Sequence, residues 1–320
     1  MRLAVVGCGV WGANLVRTCA ELGVLGAVVD TDLATAQRQS VTWNVPALSL
    51  TQALEDPGLA ALIIATPAAT HAALCRQALD HGKDVFVEKP LAVDLGEAEA
   101  LARDVRRTDR VFMIGHLLRH HPAFETLLAR VARGDVGTVL HVGASRLNLG
   151  RVRAHENAFL SLSPHDISMI LAVVGEEPDR VSAVGRAFIT PGVADEVHAD
   201  LGFPGGAHAH LAASWINPFK EQKLVVIGDA GALVFDDTRP WAEKLSWRRQ
   251  TVTTTPSGPL ATGASPEFIA LNPEPPLARE IRRFVQCCQT RDTPLTGIEE
   301  ALPVQRVLER VQFLLKSSPT

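Results

Sequence analysis

At 320 residues, 47% hydrophobic and 21% charged, the chain has the composition of an ordinary globular protein about two domains long. That excludes disorder, collagen-like repeats and a coiled coil, and a formal net charge of −4 with a pI near 6.3 gives no electrostatic reason to expect nucleic acid or an anionic membrane as partner. Five cysteines (Cys8, Cys19, Cys75, Cys287, Cys288), odd in number and without CxxC spacing, point away from a disulfide framework or a zinc site and toward a reducing cytoplasm. No apolar run approaches the roughly 18–20 residues of a membrane span, and the stretch before Cys8 is too short for a signal h-region.

The first 120 residues alternate short apolar runs with helical patterns. Strands are predicted at residues 3–6, 27–30, 61–65, 84–87 and 111–115, with helices at 12–22, 33–41, 70–81 and 95–108. The runs are rich in Val, Ile and Ala and lack polar alternation, as parallel strands covered on both faces do. The alternation predicts an α/β fold whose N-terminal part is a doubly wound parallel sheet. After His121-Pro122 the texture changes. A helix is predicted at 123–132 and another at 164–174. Strands follow at 180–188, 195–203, 207–215, 223–227 and 231–235, with hairpin turns at Pro204-Gly205-Gly206 and at 228–231. A mainly antiparallel sheet in an α+β domain is implied. Residues 250–276 are rich in Pro, Thr, Ser and Gly and read as a surface loop, and two more helices are predicted near 277–290 and 298–315. The expected domains are 1–121 and 122–320.

Gly7-Cys8-Gly9-Val10-Trp11-Gly12 is a GxGxxG hexapeptide directly after the first strand and opening a helix. In that context Gly7 and Gly9 permit a tight turn and close approach to a pyrophosphate. Gly12 lets the helix pack on the sheet, and the helix start supplies free N–H donors. Asp30 ends the second strand about twenty residues on, where a carboxylate accepts from an adenosine ribose and repels a 2′-phosphate. NAD is therefore expected over NADP, with Val10 and Trp11 beside it. Ile63-Ile64-Ala65-Thr66-Pro67 ends the third strand with a turn at the ligand edge of such a sheet. Thr66, Pro67 and His71 are candidate cofactor residues, though His71 has the alternative of simply starting a helix.

Val87-Glu88-Lys89-Pro90 sits at the end of the fourth strand, where Glu88 and Lys89 project toward the nicotinamide end of the crevice. GCGVWG, ATPAATH, VEKPLA and GHLLRHHP, in this order, resemble the glucose–fructose oxidoreductase/inositol dehydrogenase/MocA family. The resemblance implies a Rossmann domain that binds NAD, a nicotinamide near Lys89, and a histidine from a helix start in the second domain. Here that histidine is His165, in Ser163-Pro164-His165-Asp166, where the alternative is a histidine bound to nearby backbone. Many members carry an aspartate four residues earlier; this chain has Ser161. Asp166, adjacent to the histidine, reads as a structural residue.

The segments GHLLRHHP, SRLNLGRVR and ENA further resemble the branch of UDP-N-acetylglucosamine 3-dehydrogenases and the corresponding uronate enzymes. That resemblance implies oxidation of a sugar C3 hydroxyl to a ketone, a downstream aminotransferase, and a homodimer or homotetramer. Arg146, Arg151 and Arg153 suit phosphate oxygens and Asn148 suits sugar hydroxyls, unless they form only a solvated basic loop. His116, His120 and His121 cluster after the fifth strand, and His116 is the candidate for substrate contact. No metal is expected, because no carboxylate cluster accompanies them. His165 is the expected general base, and Lys89 the group that stabilises alkoxide charge. The alternatives are an inositol or free-sugar dehydrogenase, an enzyme that oxidises only transiently, or an NAD-binding sensor without turnover.

Overall fold

The structure, a computed structural model, describes residues 1–317 and divides into two compact units. Unit 1 comprises Met1–His120 and Glu274–Gln305; unit 2 comprises His121–Pro273 and the chain from Arg306.

Unit 1 begins as strand–helix alternation: β1 (Leu3–Val6), α1 (Gly12–Glu21), β2 (Leu25–Val29), α2 (Leu33–Trp43), α3 (Leu50–Glu55), β3 (Ala61–Ile64), α4 (His71–Asp80), β4 (Asp84–Val87), α5 (Leu95–Val105) and β5 (Phe112–Ile114). The strands form one parallel sheet in the order β2-β1-β3-β4-β5. Every strand residue is buried, which is why these runs show no polar alternation. Val6 lies level with Val29 and Ile64, and Ile64 with Val87, so the carboxyl ends form one edge. The order reverses between β1 and β3, where sheets of this kind bind ligands. The short helix α3 has no counterpart in the sequence reading. Six residues give too little periodicity, but Ser49 and Gln52 form a reciprocal capping box at its start.

Unit 2 contains α6 (Pro122–Ala132), β6 (Val139–Leu149), α7 (Ala158–Leu162), α8 (Pro164–Val174), β7 (Arg180–Arg186), β8 (Glu196–Gly202), β9 (His208–Ser214), β10 (Ile216–Gly228), β11 (Gly231–Asp236), β12 (Leu245–Thr255), β13 (Gly258–Gly263) and β14 (Glu267–Phe268). Its strands form a mixed sheet ordered β13-β12-β11-β10-β6-β9-β8-β7, with β14 on β12. All pairs are antiparallel except β6 with β9. Val197, Ala199 and Leu201 point inward and alternate with exposed His198 and Asp200, the pattern of a sheet with one solvated face. The loop predicted at 250–276 is corrected by β12 and β13. The threonine run is β-branched and pairs residue for residue with 258–263, so its composition misleads.

The other correction concerns the C-terminal helices, which the sequence reading places wholly in the second domain. α9 (Pro276–Thr290) and the first part of α10 (Ile298–Ser317) belong to unit 1. Ile281, Phe284 and Cys288 recur at helical spacing and are buried with Leu3, Val5, Phe86 and Met113. The Phe284 ring meets Phe86 edge-on, 5.7 Å between centroids. Ile298, Ala301 and Leu302 join the core beneath α4 and α5 on the opposite face of the sheet. A parallel sheet needs both faces covered, and these segments complete the covering. Phe284→Ala is expected to cost about 3–5 kcal/mol, read from urea unfolding, because it empties a fully buried aromatic site in unit 1.

Candidate functional site

Gly7 ends β1 with φ of +90°, and a Cβ there would lie 2.7 Å from the Ala65 carbonyl oxygen. A Cβ on Gly12 would collide with the Gly7 carbonyl. Only glycine allows this packing of the ends of β1 and β3 against the start of α1. Gly9 faces open space. The turn is tied to β2 by Asp30, which accepts the Cys8 N–H through Oδ2 (2.6 Å) and the Asp32 N–H through Oδ1 (2.9 Å). Burial and the adjacent Asp30 push the Cys8 thiol up to about 11, so it stays an unreactive thiol.

Beside the turn lies a cavity of about 1110 Å³, lined by Gly7, Gly9, Asp30, Thr66 and Pro67 among others. The sequence reading missed the part contributed by Leu48, Leu50 and Gln52. Apolar walls with one carboxylate suit an adenine base and its ribose, and the glycine cradle suits a pyrophosphate, so NAD fits these residues. Val10 (85% exposed) and Trp11 (43%), expected beside the cofactor, lie in the same glycine turn but do not line this cavity.

At the end of β4 the Trp11 indole N–H donates to Glu88 Oε1 (2.5 Å), and the Lys89 backbone N–H donates to Oε2 (3.3 Å). This joins the glycine turn to the half-buried Lys89. Burial raises the Glu88 carboxyl, while the Trp11 bond and the Lys89 charge work against that rise. Glu280 of α9 is fully buried near Glu88, and neither of its oxygens has a hydrogen-bond partner among the described residues. Burial first, and then the Glu88 charge, hold its carboxyl well above the usual range.

The structure gives two expected ligand histidines other work. His71 is 1% exposed, its ring set between the carbonyls of Pro90 (2.8 Å) and Thr66 (2.9 Å) rather than toward the cavity. His116 is 3% exposed and donates from Nδ1 to Glu300 (2.7 Å), whose other oxygen accepts from Arg119 (3.0 Å). His120 hydrogen-bonds Thr296, and burial together with Arg119 pushes its imidazole down to about 3. Glu300 leaves no signal in the sequence because its partners lie more than 180 residues away along the chain, and Glu280 leaves none because its burial is set by packing on unit 1.

In unit 2, His121 accepts the Ala123 N–H and so caps α6. The expected phosphate ligand Arg146, on β6, instead forms a buried fork with Asp166 of α8, both contacts 2.8 Å. This is the structural role that the sequence reading assigned to Asp166, and it positions the first turn of α8, where His165 follows Pro164 and is half-buried. Ser161 lies on the preceding α7. On β6, Asn148 has a buried Oδ1 with no donor among the described residues. Arg151 and Arg153 are exposed in the segment after β6, and Arg153 pairs with Glu156 at 2.8 Å. Among the described residues no group of three or more His, Cys, Asp or Glu side chains is placed to hold a metal ion, and no helix is long and apolar enough to cross a membrane.

Two predictions follow from the buried charges. The folded protein keeps a proton on Glu280 that the unfolded chain releases above about pH 4.5, so this group lowers stability as pH rises toward its folded pKa. Glu280→Gln removes that slope, and urea midpoints measured from about pH 5 to 8 should fall less steeply than in the wild type. Arg146→Met strands a buried carboxylate and should cost about 3–5 kcal/mol. Arg146→Met with Asp166→Leu should recover most of it; a stable single variant with only a raised KM would instead make Arg146 a substrate ligand.

Comparison with known proteins agrees with this geometry. Residues 1–116 match the family model described as an oxidoreductase family with an NAD-binding Rossmann fold, and residues 124–234 match the GFO/IDH/MocA C-terminal domain. The chain is 31% identical over 215 residues to UDP-N-acetylglucosamine 3-dehydrogenase of Acidithiobacillus ferrooxidans, covering 67% of each chain. It is 27% identical over 266 residues to scyllo-inositol 2-dehydrogenase (NAD(+)) of Bacillus subtilis, covering 79% of this chain and 75% of that one. A solved structure of the Acidithiobacillus ferrooxidans enzyme superposes with a TM-score of 0.87 at 25% identity, covering 99% of this chain and 98% of that one. The glycine cradle, the Asp30 tie and the matched domains make one conclusion: the chain belongs to the GFO/IDH/MocA family of NAD-binding oxidoreductases.

Proposed function

We propose that the protein is an NAD-dependent dehydrogenase of the CH–OH group of a sugar, with C3 of a UDP-N-acetylhexosamine or its uronic acid as the site of oxidation. The observation that carries the substrate class is on β6 and the segment after it. The buried, donorless Oδ1 of Asn148 accepts a sugar hydroxyl, and the exposed Arg151 and Arg153 supply cations for a diphosphate. The likeness to UDP-N-acetylglucosamine 3-dehydrogenase supports the same reading. The inositol dehydrogenases among the relatives favour a second one, a dehydrogenase of free cyclitols or sugars.

The overall change is R2CH–OH + NAD⁺ → R2C=O + NADH + H⁺, the bound NAD serving as hydride acceptor. His165 takes the hydroxyl proton, for which imidazole is suited near neutral pH. It stands on a helix start held by the Arg146–Asp166 fork. Lys89 supplies an ammonium that stabilises developing alkoxide charge. Glu88, through Trp11, holds the backbone that carries Lys89. The 3-keto product is an electrophilic ketone suited to a transaminating partner.

The test mixes the protein with NAD and, in turn, UDP-N-acetylglucosamine, its uronic acid, and free sugars including inositol, following NADH absorbance in a single turnover. A burst with the UDP-sugars alone is expected. A burst with a free sugar, unchanged by Arg151→Ala and Arg153→Ala, gives the case to the second reading. His165→Asn and Lys89→Ala should each lower turnover at least about a hundredfold while NAD binding stays near wild type. Wild-type turnover in either removes that residue from the chemistry.

A further inference from the structure

His71 opens α4 with its ring almost wholly buried, and both ring nitrogens meet backbone carbonyls: Nδ1 is 2.8 Å from Pro90 O and Nε2 is 2.9 Å from Thr66 O. A carbonyl oxygen accepts and cannot donate. A neutral imidazole has one N–H, so it satisfies one of these oxygens and turns a lone pair toward the other. Both contacts are hydrogen bonds only when the ring carries two protons. The two carbonyls belong to the turns that end β3 and β4. Thr66 lines the nucleotide cavity, and Pro90 follows Lys89.

We propose that His71 is a positioning residue for cofactor binding, a strut between the Thr66 turn and the Lys89–Pro90 turn that is complete only as the imidazolium. The doubly protonated ring holds both turns at one separation. Loss of either proton frees one turn and loosens the crevice. The groups facing the ring set the balance. Burial and the Lys89 ammonium favour the neutral form, whereas the two carbonyls and Glu97 of α5 favour the cation, and burial is the largest of these influences. The ring therefore titrates below an ordinary histidine, and the strut forms as pH falls. The inference rests on NAD binding and not on the sugar, so a silent substrate panel leaves it standing, and its own failure leaves the substrate reading intact.

The direct test is NMR of the cofactor-free protein with 15N-labelled histidine. One of the eleven histidines should show protons on both ring nitrogens, protected from exchange, as pH is lowered from about 7 to 5. His71→Asn and His71→Gln identify the signal by its loss. Should both fail to fold, Overhauser contacts from the ring N–H groups to Thr66 and Pro90 identify it instead. NAD binding by fluorescence titration is the second readout. Wild-type Kd should tighten about three- to tenfold over this range, as for one hydrogen bond gained. His71→Gln, whose amide replaces Nε2, and His71→Asn, whose amide replaces Nδ1, each keep one bond at every pH and should bind without that dependence. A ring with a single N–H throughout, or a variant that keeps the wild-type pH dependence, overturns the proposal.

Discussion

The close approach of Gly7, Gly12 and Ala65 is the constraint from which the nucleotide end of unit 1 follows. With the Ala65 carbonyl against Gly7 and the Gly7 carbonyl against Gly12, no side chain larger than hydrogen fits at either glycine. The ends of β1 and β3 and the start of α1 are thereby locked together. Asp30 adds β2 by accepting the Cys8 N–H, so three strand ends and a helix start meet around one turn. The cavity beside it is what remains when they converge, and its carboxylate stands where a ribose hydroxyl needs an acceptor.

From that turn a chain of polar contacts leads to the chemical end of unit 1. Trp11 carries its indole to Glu88, Glu88 accepts from the Lys89 backbone, and His71 joins the Pro90 turn to the Thr66 turn. The loops that would hold the two ends of a dinucleotide are thus braced on each other by polar side chains. Buried ions are tolerated when geometry pairs them well, and the Glu300 carboxylate with His116 and Arg119 meets that condition. Glu280 does not, and it settles the matter by keeping its proton. Glu88, held by the Trp11 indole and the Lys89 backbone N–H, then stands beside the residue that carries the ammonium. In unit 2 the same logic appears in the Arg146–Asp166 fork at the helix start that carries His165.

Much of this was legible from residues alone wherever the signal is local. Uniform Val/Ile/Ala runs specify strands buried on both faces, GxGxxG between a strand and a helix specifies a nucleotide turn, and Pro164-His165 marks a helix start. Composition misleads where pattern decides. The threonines of β12 looked like a loop, although β-branched residues pair well in a sheet. The Ser49–Gln52 capping box is the local signal for α3, and the segment around it forms one wall of the cavity.

Residue order alone sets the alternation, the glycine turn, the acidic end of β2 and the family motifs, because each depends on neighbours a few residues away. Tertiary structure alone decided which charges pair and which segments share a core. Arg146 is spent on Asp166, His116 on Glu300 and His71 on two carbonyls, and α9 covers a sheet whose strands all lie more than 150 residues earlier. A side chain's chemistry advertises what it can bind. Its partner is chosen by distance in space and by the cost of leaving a buried polar group unpaired, and neither quantity is written in the order of residues.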